Sequence, residues 1–227
     1  MALAQIPQNV YVIIPAHNER KNIAAIISRT KKLVDRSNVV VVDDGSTDNT
    51  ASEAKRQNVA VVRHPVNLGK GAALRTGCLY ASREGAQAFI FMDSDGQHEP
   101  EDLPRIIAAL AENDIVFTYR DRKSEHMPLI KKVGNVFIDT VMMLLFRIKV
   151  IDTQCGYKAI KRAAYEKLGL MSNDYSIESE IAAKTGKYRL KFAQLPIRTL
   201  YEDKYKGTTV FDGINIVMKM LWWRITR

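Results

Sequence analysis

Four short polar clusters, each directly after a run of apolar residues, carry the residues in this sequence that could do chemistry. They are Pro15-Ala16-His17-Asn18-Glu19, Asp43-Asp44-Gly45-Ser46-Thr47-Asp48, Asn67-Leu68-Gly69-Lys70-Gly71 with Arg75 beyond it, and Asp93-Ser94-Asp95-Gly96-Gln97-His98. Each alone has a plain structural use. Asp-Gly-Ser-Thr makes turns and helix N-caps, and Gly-Lys-Gly has neither phosphate-loop nor dinucleotide-fingerprint spacing. Together they say more, because carboxylates gathered at one edge of a sheet repel unless a cation or hydrogen-bond donors lie among them. Asp93, Asp95 and Gln97 alternate along an extended segment, so all three can point toward one ion. Lys70 and Arg75 are cations that could approach a phosphate or simply lie solvated on a helix face.

The elements that must position these clusters are legible from the apolar pattern. Val10–Pro15, Asn38–Asp43, Val59–Arg63, Ala88–Asp93 and Asp114–Tyr119 are short, rich in β-branched residues, and read as buried strands. Between them, Ile23, Ile26, Ile27, Leu33 and Val34 fall on one helical face, and Leu103, Ile106, Ile107 and Leu110 repeat that spacing after Pro100 and Pro104. Such alternation predicts an α/β fold with a mostly parallel sheet flanked by helices, in which ligands bind beyond the carboxyl ends of the strands. The second half is less regular. Met127–Ile151 predicts an amphipathic helix with basic ends, Tyr157–Lys161 a mixed segment, Ile177–Lys184 a helix and Arg189–Arg198 a strand. Val210–Arg227 predicts an amphipathic C-terminal helix with Val210, Phe211, Ile214, Val217, Met218, Leu221 and Trp222 largely on one face. The chain therefore divides into one domain over 1–209 and a helix over 210–227.

The ordered set PAHNE, VVDDGSTD, NLGKGAALRTG and MDSDGQHEPED resembles the inverting glycosyltransferases of family 2, which have the GT-A nucleotide-diphospho-sugar fold. The segments TYRDRK, DTQCGYKAIKR and LPIRTLYED resemble the branch that moves a sugar onto a polyprenyl phosphate, the dolichol-phosphate mannose and glucose synthases. The resemblance implies a divalent metal ion, Mg²⁺ or Mn²⁺, held by Asp93, Asp95 and Gln97 against the diphosphate of a nucleotide-sugar donor such as GDP-mannose or a UDP-sugar. It implies donor contacts from Pro15, His17, Glu19, Asp43, Lys70, Asp93, Ser94 and Asp95. On the acceptor side it implies Arg120 and Arg198 as grips for a lipid phosphate, since guanidinium binds two phosphate oxygens in a fixed fork. Lys131 and Lys132 stand where the family tends to have an Arg and a Ser, which makes Lys132 the remaining acceptor-phosphate candidate. Asp95, Arg120 and Asp152 are the expected catalytic set, with Asp152 orienting the sugar or acceptor. Were the acceptor a hydroxyl of a glycan or glycolipid instead, Asp152 would be the candidate general base.

The charge is divided unevenly. Residues 1–118 hold 13 Lys and Arg against 14 Asp and Glu, while residues 119–227 hold 21 against 11, which accounts for the net +9 of the chain. A basic half suits an anionic membrane surface or a phosphorylated substrate. Nucleic acid is excluded as a partner, because Asp43, Asp44, Asp93 and Asp95 would repel a phosphate backbone. Cys78 and Cys155 lack paired or metal-type spacing, the N-terminus lacks the pattern of a signal peptide, and no apolar run is long enough to span a bilayer. The expected location is therefore cytoplasmic, peripherally bound to the cytoplasmic face of a membrane, with a membrane partner subunit as an alternative means of attachment. The nucleotide base, the sugar and the oligomeric state are left open.

Overall fold

A computed structural model of the chain describes the backbone of residues 7–120, 129–198 and 210–225, and their side chains except at 129–133, 135 and 210–214. Seven strands form one sheet: β1 (Val10–Ala16), β2 (Val39–Asp44), β3 (Ala60–His64), β4 (Ala88–Phe91), β5 (Ile115–Arg120), β6 (Lys158–Lys161) and β7 (Phe192–Ile197), in the order β3-β2-β1-β4-β6-β5-β7. The pairs β1–β2, β2–β3, β1–β4 and β5–β7 are parallel. Strand β6 runs antiparallel to both its neighbours. Every residue of β1, β2 and β4 is buried, as expected of strands covered on both faces. Their β-branched composition suits such strands, and the two-residue period sends successive side chains into different cores. Val12 and Ile14 pack with Ile23 and Ile27 of α1 (Ile23–Thr30) and Leu103 and Ile106 of α4 (Leu103–Leu110). Ile13 instead joins Ala73 and Leu74 of α3 (Lys70–Arg83).

The strand order reverses between β1 and β4, which is the place where an open α/β sheet leaves a crevice at its carboxyl edge. Three of the polar clusters, after β1, β2 and β4, border that crevice directly. The fourth follows β3 and leads into α3.

Several expectations about extent are corrected. The apolar helical face of Ile23 to Val34 is cut short, because α1 ends at Thr30 and Leu33 and Val34 lie in the turn beyond it. The strand expected over Ala88–Asp93 ends at Phe91, which leaves Asp93 in irregular backbone. The long helix of the second half, α5, spans Leu129–Phe146 and stops where Arg147 takes a left-handed φ of 54°. Lys149 and Ile151 therefore lie outside it. The strand expected over Arg189–Arg198 is confined to β7. Apart from the C-terminal helix, three further α-helices are described: α2 (Thr50–Arg56), α6 (Arg162–Leu168) and α7 (Ile177–Lys187). Neither α2 nor α6 is evident in the sequence, because both are only 7 residues long and show little apolar periodicity.

The C-terminal helix α8 (Val210–Ile225) packs against α5 and α7. Ile216 and Met220 are buried there with Ile138, Met142 and Phe146, and Trp223 packs against the same core. Each such burial contributes roughly 1.5–3 kcal/mol. Met218, Leu221 and Trp222, expected to share a face, do so, and with Ile225 they are exposed. Val136, Phe137, Met143 and Leu144 of α5 are exposed as well. Both helices are thus apolar on two sides, one turned to the core and one to solvent. No helix among the described residues is long and apolar enough to cross a membrane.

Candidate active site

Two neighbouring aspartates at the end of β2 have opposite fates, because adjacent strand residues face opposite ways. Asp44 is fully engaged by the protein. It accepts from Leu68 N at 2.9 Å and Gly69 N at 2.8 Å, and its Oδ1 lies 2.7 Å from His64 Nδ1. Gly69 can meet this demand because its φ of 94° suits glycine. Asp43 is fully buried, with Arg63 Nε 3.0 Å from Oδ2, yet neither carboxylate oxygen accepts a hydrogen bond. A buried carboxylate without donors is costly, and at Asp43 Arg63 supplies charge compensation.

Around Asp43 the loop after β1 is tied down by its own side chains. His17 Nδ1 is 2.8 Å from Asp44 O, which can only accept, so Nδ1 carries the proton and Nε2 accepts from Asn18 Nδ2 at 3.1 Å. The His17 ring itself is exposed and able to stack. Glu19 is buried, accepts from Asn22 Nδ2 at 2.8 Å, and donates its backbone N–H to Thr50 Oγ1 at 2.8 Å. Ser94 Oγ donates to Pro15 O at 2.7 Å and so ties the β4 end to the β1 end. The Ser94 hydroxyl hydrogen is thus spent within the protein.

The Asp-x-Asp segment lies beside this loop. Asp93 Oδ1 is 2.5 Å from Lys70 Nζ at the start of α3, and its Oδ2 is 4.0 Å from His98 Nδ1. Burial works against ionising Asp93, but Lys70 first, then His98 and Lys158, outweigh it and bring its carboxyl down to about 2. For Lys70, burial opposes the charge while Asp93 and Glu178 raise its pKa above the ordinary lysine value. Asp95 Oδ1 accepts from Gln97 N at 3.0 Å, which folds the segment so that Asp95 and Gln97 lie together. Among the described residues no three His, Cys, Asp or Glu side chains form a metal-binding cluster. The oxygen donors of Asp93, Asp95 and Gln97 nevertheless fit a hard divalent cation that takes its remaining ligands from a bound diphosphate.

Two of the acceptor candidates, Arg120 and Arg198, lie at the carboxyl ends of β5 and β7. Arg120 closes β5 and forks onto Asp152, with Nε 2.7 Å from Oδ2 and an Nη 3.0 Å from Oδ1. Asp152 is 1% exposed, so this pair is nearly dry. Register places Arg120 opposite Ile197 of β7, and Arg198 follows as an exposed residue. Two guanidinium side chains thus leave adjacent strand ends. Lys132 lies on α5, with its side chain outside the described residues. Arg75 bonds Ser172 O and Asn173 Oδ1, in the segment that packs against Gly69 and Gly71 at the start of α3.

The loop after Asp152 reaches the Asp-x-Asp segment. A Cβ at Gly156 would lie 2.2 Å from Asp93 Oδ2, so only glycine lets this backbone approach the carboxylate. The loop is clipped by Asp139, the charge that interrupts the apolar face of α5, which accepts from Thr153 N at 3.1 Å and Thr153 Oγ1 at 2.8 Å. Three buried residues here escaped sequence reasoning. His98 stacks on Tyr157 with ring centroids 5.3 Å apart, and its Nε2 is 4.0 Å from Cys155 Sγ. Lys158 and Glu178 pair at 2.6 Å. His98 was at least within a conspicuous cluster, and Lys158 was signalled by a cation inside an apolar strand. Nothing local marks Glu178.

A mostly parallel sheet with a buried carboxylate at the end of β2, an Asp-x-Asp segment after β4 and helices on both faces has the architecture of the GT-A class. The chain belongs to glycosyl transferase family 2, whose family model matches residues 11–169; it is a glycosyltransferase. It is 31% identical to a UDP-N-acetylglucosamine–dolichyl-phosphate N-acetylglucosaminyltransferase of Methanococcus voltae, over 93% of this chain and 94% of that one. It is also 31% identical to a dolichol-phosphate mannosyltransferase of Pyrococcus furiosus, over 94% of this chain and 64% of the relative. Among solved structures, glucosyl-3-phosphoglycerate synthase from Mycobacterium tuberculosis, in complex with Mn²⁺, uridine diphosphate and phosphoglyceric acid, matches with a TM-score of 0.73. That match covers 97% of this chain and 80% of the other at 20% identity, a likeness of fold.

Proposed function

We propose that this protein transfers a sugar from a nucleotide-diphosphate donor to a polyprenyl phosphate, with inversion at the anomeric carbon. The observation that carries this reading is the pair of guanidinium residues at adjacent strand ends, Arg120 and Arg198, beside a loop in contact with Asp93. A hydroxyl acceptor gives no reason for two guanidinium residues at neighbouring strand ends, whereas a phosphate monoester does. The names of the relatives from M. voltae and P. furiosus support the same acceptor class.

On this reading Asp43 accepts from the ribose or base, the His17 ring stacks on the base, and Pro15 and Glu19 shape the pocket wall. Lys70, Asp93 and Ser94 line the diphosphate end. Asp93, Asp95 and Gln97 would hold a divalent cation, which when bound neutralises the diphosphate and eases its departure. Arg120 and Arg198, with Lys132, hold the acceptor phosphate. A phosphate monoester is largely dianionic at neutral pH, with a second pKa near about 6. Its oxygen therefore attacks the anomeric carbon without a general base, forming the new C–O bond as the bond to the nucleoside diphosphate breaks. One in-line displacement inverts configuration and needs no covalent enzyme intermediate. Asp152 needs to take no proton on this reading; its fork with Arg120 supports a role in orienting the acceptor through that guanidinium.

The deciding experiment incubates the protein with a panel of radiolabelled GDP- and UDP-sugars, Mn²⁺ or Mg²⁺ and a polyprenyl phosphate, followed by solvent extraction. Label in the organic phase from one donor, lost in excess EDTA, is the expected result. Transfer only to water-soluble glycans or glycolipid hydroxyls would overturn it.

Access to a lipid substrate calls for a membrane-facing surface, and the exposed residues Met218, Leu221, Trp222 and Ile225 of α8 suit one. Basic residues of the second half would add roughly 1 kcal/mol each near anionic lipid. Because Ile216 and Met220 belong to the core, deleting the helix would damage the fold. Replacing Met218, Leu221, Trp222 and Ile225 by serine is the cleaner test. Co-sedimentation with anionic liposomes should fall severalfold while UDP or GDP binding persists; unchanged sedimentation would place the attachment elsewhere.

A further inference from the structure

Lys70 stands between two carboxylates. Its Nζ is 2.5 Å from Asp93 Oδ1 and 2.8 Å from Oε1 of Glu178, a residue of α7 that is 2% exposed. The other Glu178 oxygen, Oε2, is 2.6 Å from Nζ of Lys158, which is fully buried and also donates to Cys155 O and to Thr153 O. Charges therefore alternate along a buried line: Asp93, Lys70, Glu178, Lys158. Each ion is compensated by its neighbour, as buried charge requires.

Only Asp93 in this line would also be claimed by a divalent cation, and there the ammonium and the metal compete for one carboxylate. Repulsion between two cations at contact distance is large in a partly dry site. Glu178 offers the same ammonium a second anionic partner already within reach. Its Oε1 is buried and, although close to Lys70, accepts no hydrogen bond of good geometry, so it has capacity to take one. Lys158 pins the opposite oxygen and keeps Glu178 in place.

We propose that Glu178, anchored by Lys158, is a positioning residue that takes over the Lys70 ammonium when a divalent cation engages Asp93. This rests on the reading of Asp93 as a metal ligand. The consequence is that Lys70 stays at the diphosphate end of the site as a second positive charge instead of blocking the cation or leaving for solvent.

The test is Mn²⁺ binding to the full chain without donor, with free ion counted by electron paramagnetic resonance and thermal unfolding recorded for every variant. Glu178→Gln leaves Lys70 with Asp93 as its sole anionic partner and should weaken Mn²⁺ binding by about tenfold, the scale of one close charge pair in a partly solvated site. Lys70→Met removes the competitor and should tighten it. In the Lys70→Met background, Glu178→Gln should have no further effect, since its action passes through Lys70. General structural damage would weaken binding in both single variants and would act equally in both backgrounds; either result overturns the proposal. Should Glu178→Gln fail to fold, Lys158→Met/Glu178→Gln removes one charge of each sign and is expected to weaken Mn²⁺ binding likewise. Wild-type protein that binds no Mn²⁺ either alone or with UDP or GDP present, or binds it as well after Asp93→Asn, would overturn the metal reading itself. Normal wild-type binding with an inert Glu178→Gln would overturn only the role of Glu178.

Discussion

Asp95→Asn should lower sugar transfer by roughly a hundred- to a thousandfold while leaving the fold intact. The expectation comes from charge balance. A diphosphate leaving group needs a cation close by as negative charge builds on it, and removal of one such stabilising element typically costs about 10²–10³ in rate. Asparagine is isosteric with aspartate and keeps an Oδ1 able to accept from Gln97 N, so the 3.0 Å turn contact survives. Only the charge is lost. Initial rates of transfer to polyprenyl phosphate with saturating donor and Mn²⁺, compared with a thermal melt, separate the two effects. An unshifted melt with transfer near background is the expected outcome. A variant with more than a tenth of wild-type rate, or wild-type transfer undiminished by EDTA, would remove the carboxylate-held cation from the mechanism.

Arg120→Ala should reduce kcat/KM for the lipid phosphate by about 10²–10³, because a forked guanidinium–phosphate contact is lost, while donor affinity changes less than about twofold. The structure adds a second consequence. Asp152 is almost wholly buried and its carboxylate is forked by Arg120, so truncation removes the guanidinium that compensates a buried negative charge and should destabilise the fold. Activity loss in Arg120→Ala alone is therefore ambiguous, and Arg120→Ala/Asp152→Asn is the informative partner. That double variant should recover most of the stability and none of the lipid-phosphate affinity. Urea unfolding and acceptor titrations at fixed donor read the two quantities separately. If the double variant recovers lipid-phosphate use along with stability, Arg120 serves only to neutralise Asp152. If donor affinity falls instead, donor and acceptor sides have been exchanged.

Much of the architecture was written in short-range pattern. VYVIIP and VVVVDD are apolar, β-branched and too short for helices, and they become the fully buried β1 and β2. The polar residues just after them reach the ligand edge because a parallel strand delivers its carboxyl end there whatever surrounds it. The same local logic located α1 and α4 by their apolar stripes, though not their ends. Leu33 fits the stripe of α1 yet lies past its last turn, since periodicity continues into a turn that no longer holds helical hydrogen bonds.

Local pattern specified which residues are apolar, which are charged and which follow a strand, and so determined the sheet, its ligand edge and the Asp-x-Asp segment. It did not determine partners. Asp43 and Asp44 are chemically identical neighbours, and only the pleat and the approach of Leu68 and Gly69 made Asp44 a structural acceptor while Asp43 is paired with Arg63 and accepts no hydrogen bond among the described residues. Met218 and Met220 are equally apolar, and only packing against α5 and α7 decided that Met220 enters the core while Met218 faces solvent. Lys70, Asp93, Lys158 and Glu178 come from α3, the loop after β4, β6 and α7, with nothing in their spacing to join them. Low-dielectric burial forces such charges to find each other, and that compensation exists only once the chain has folded and excluded water from the space between them.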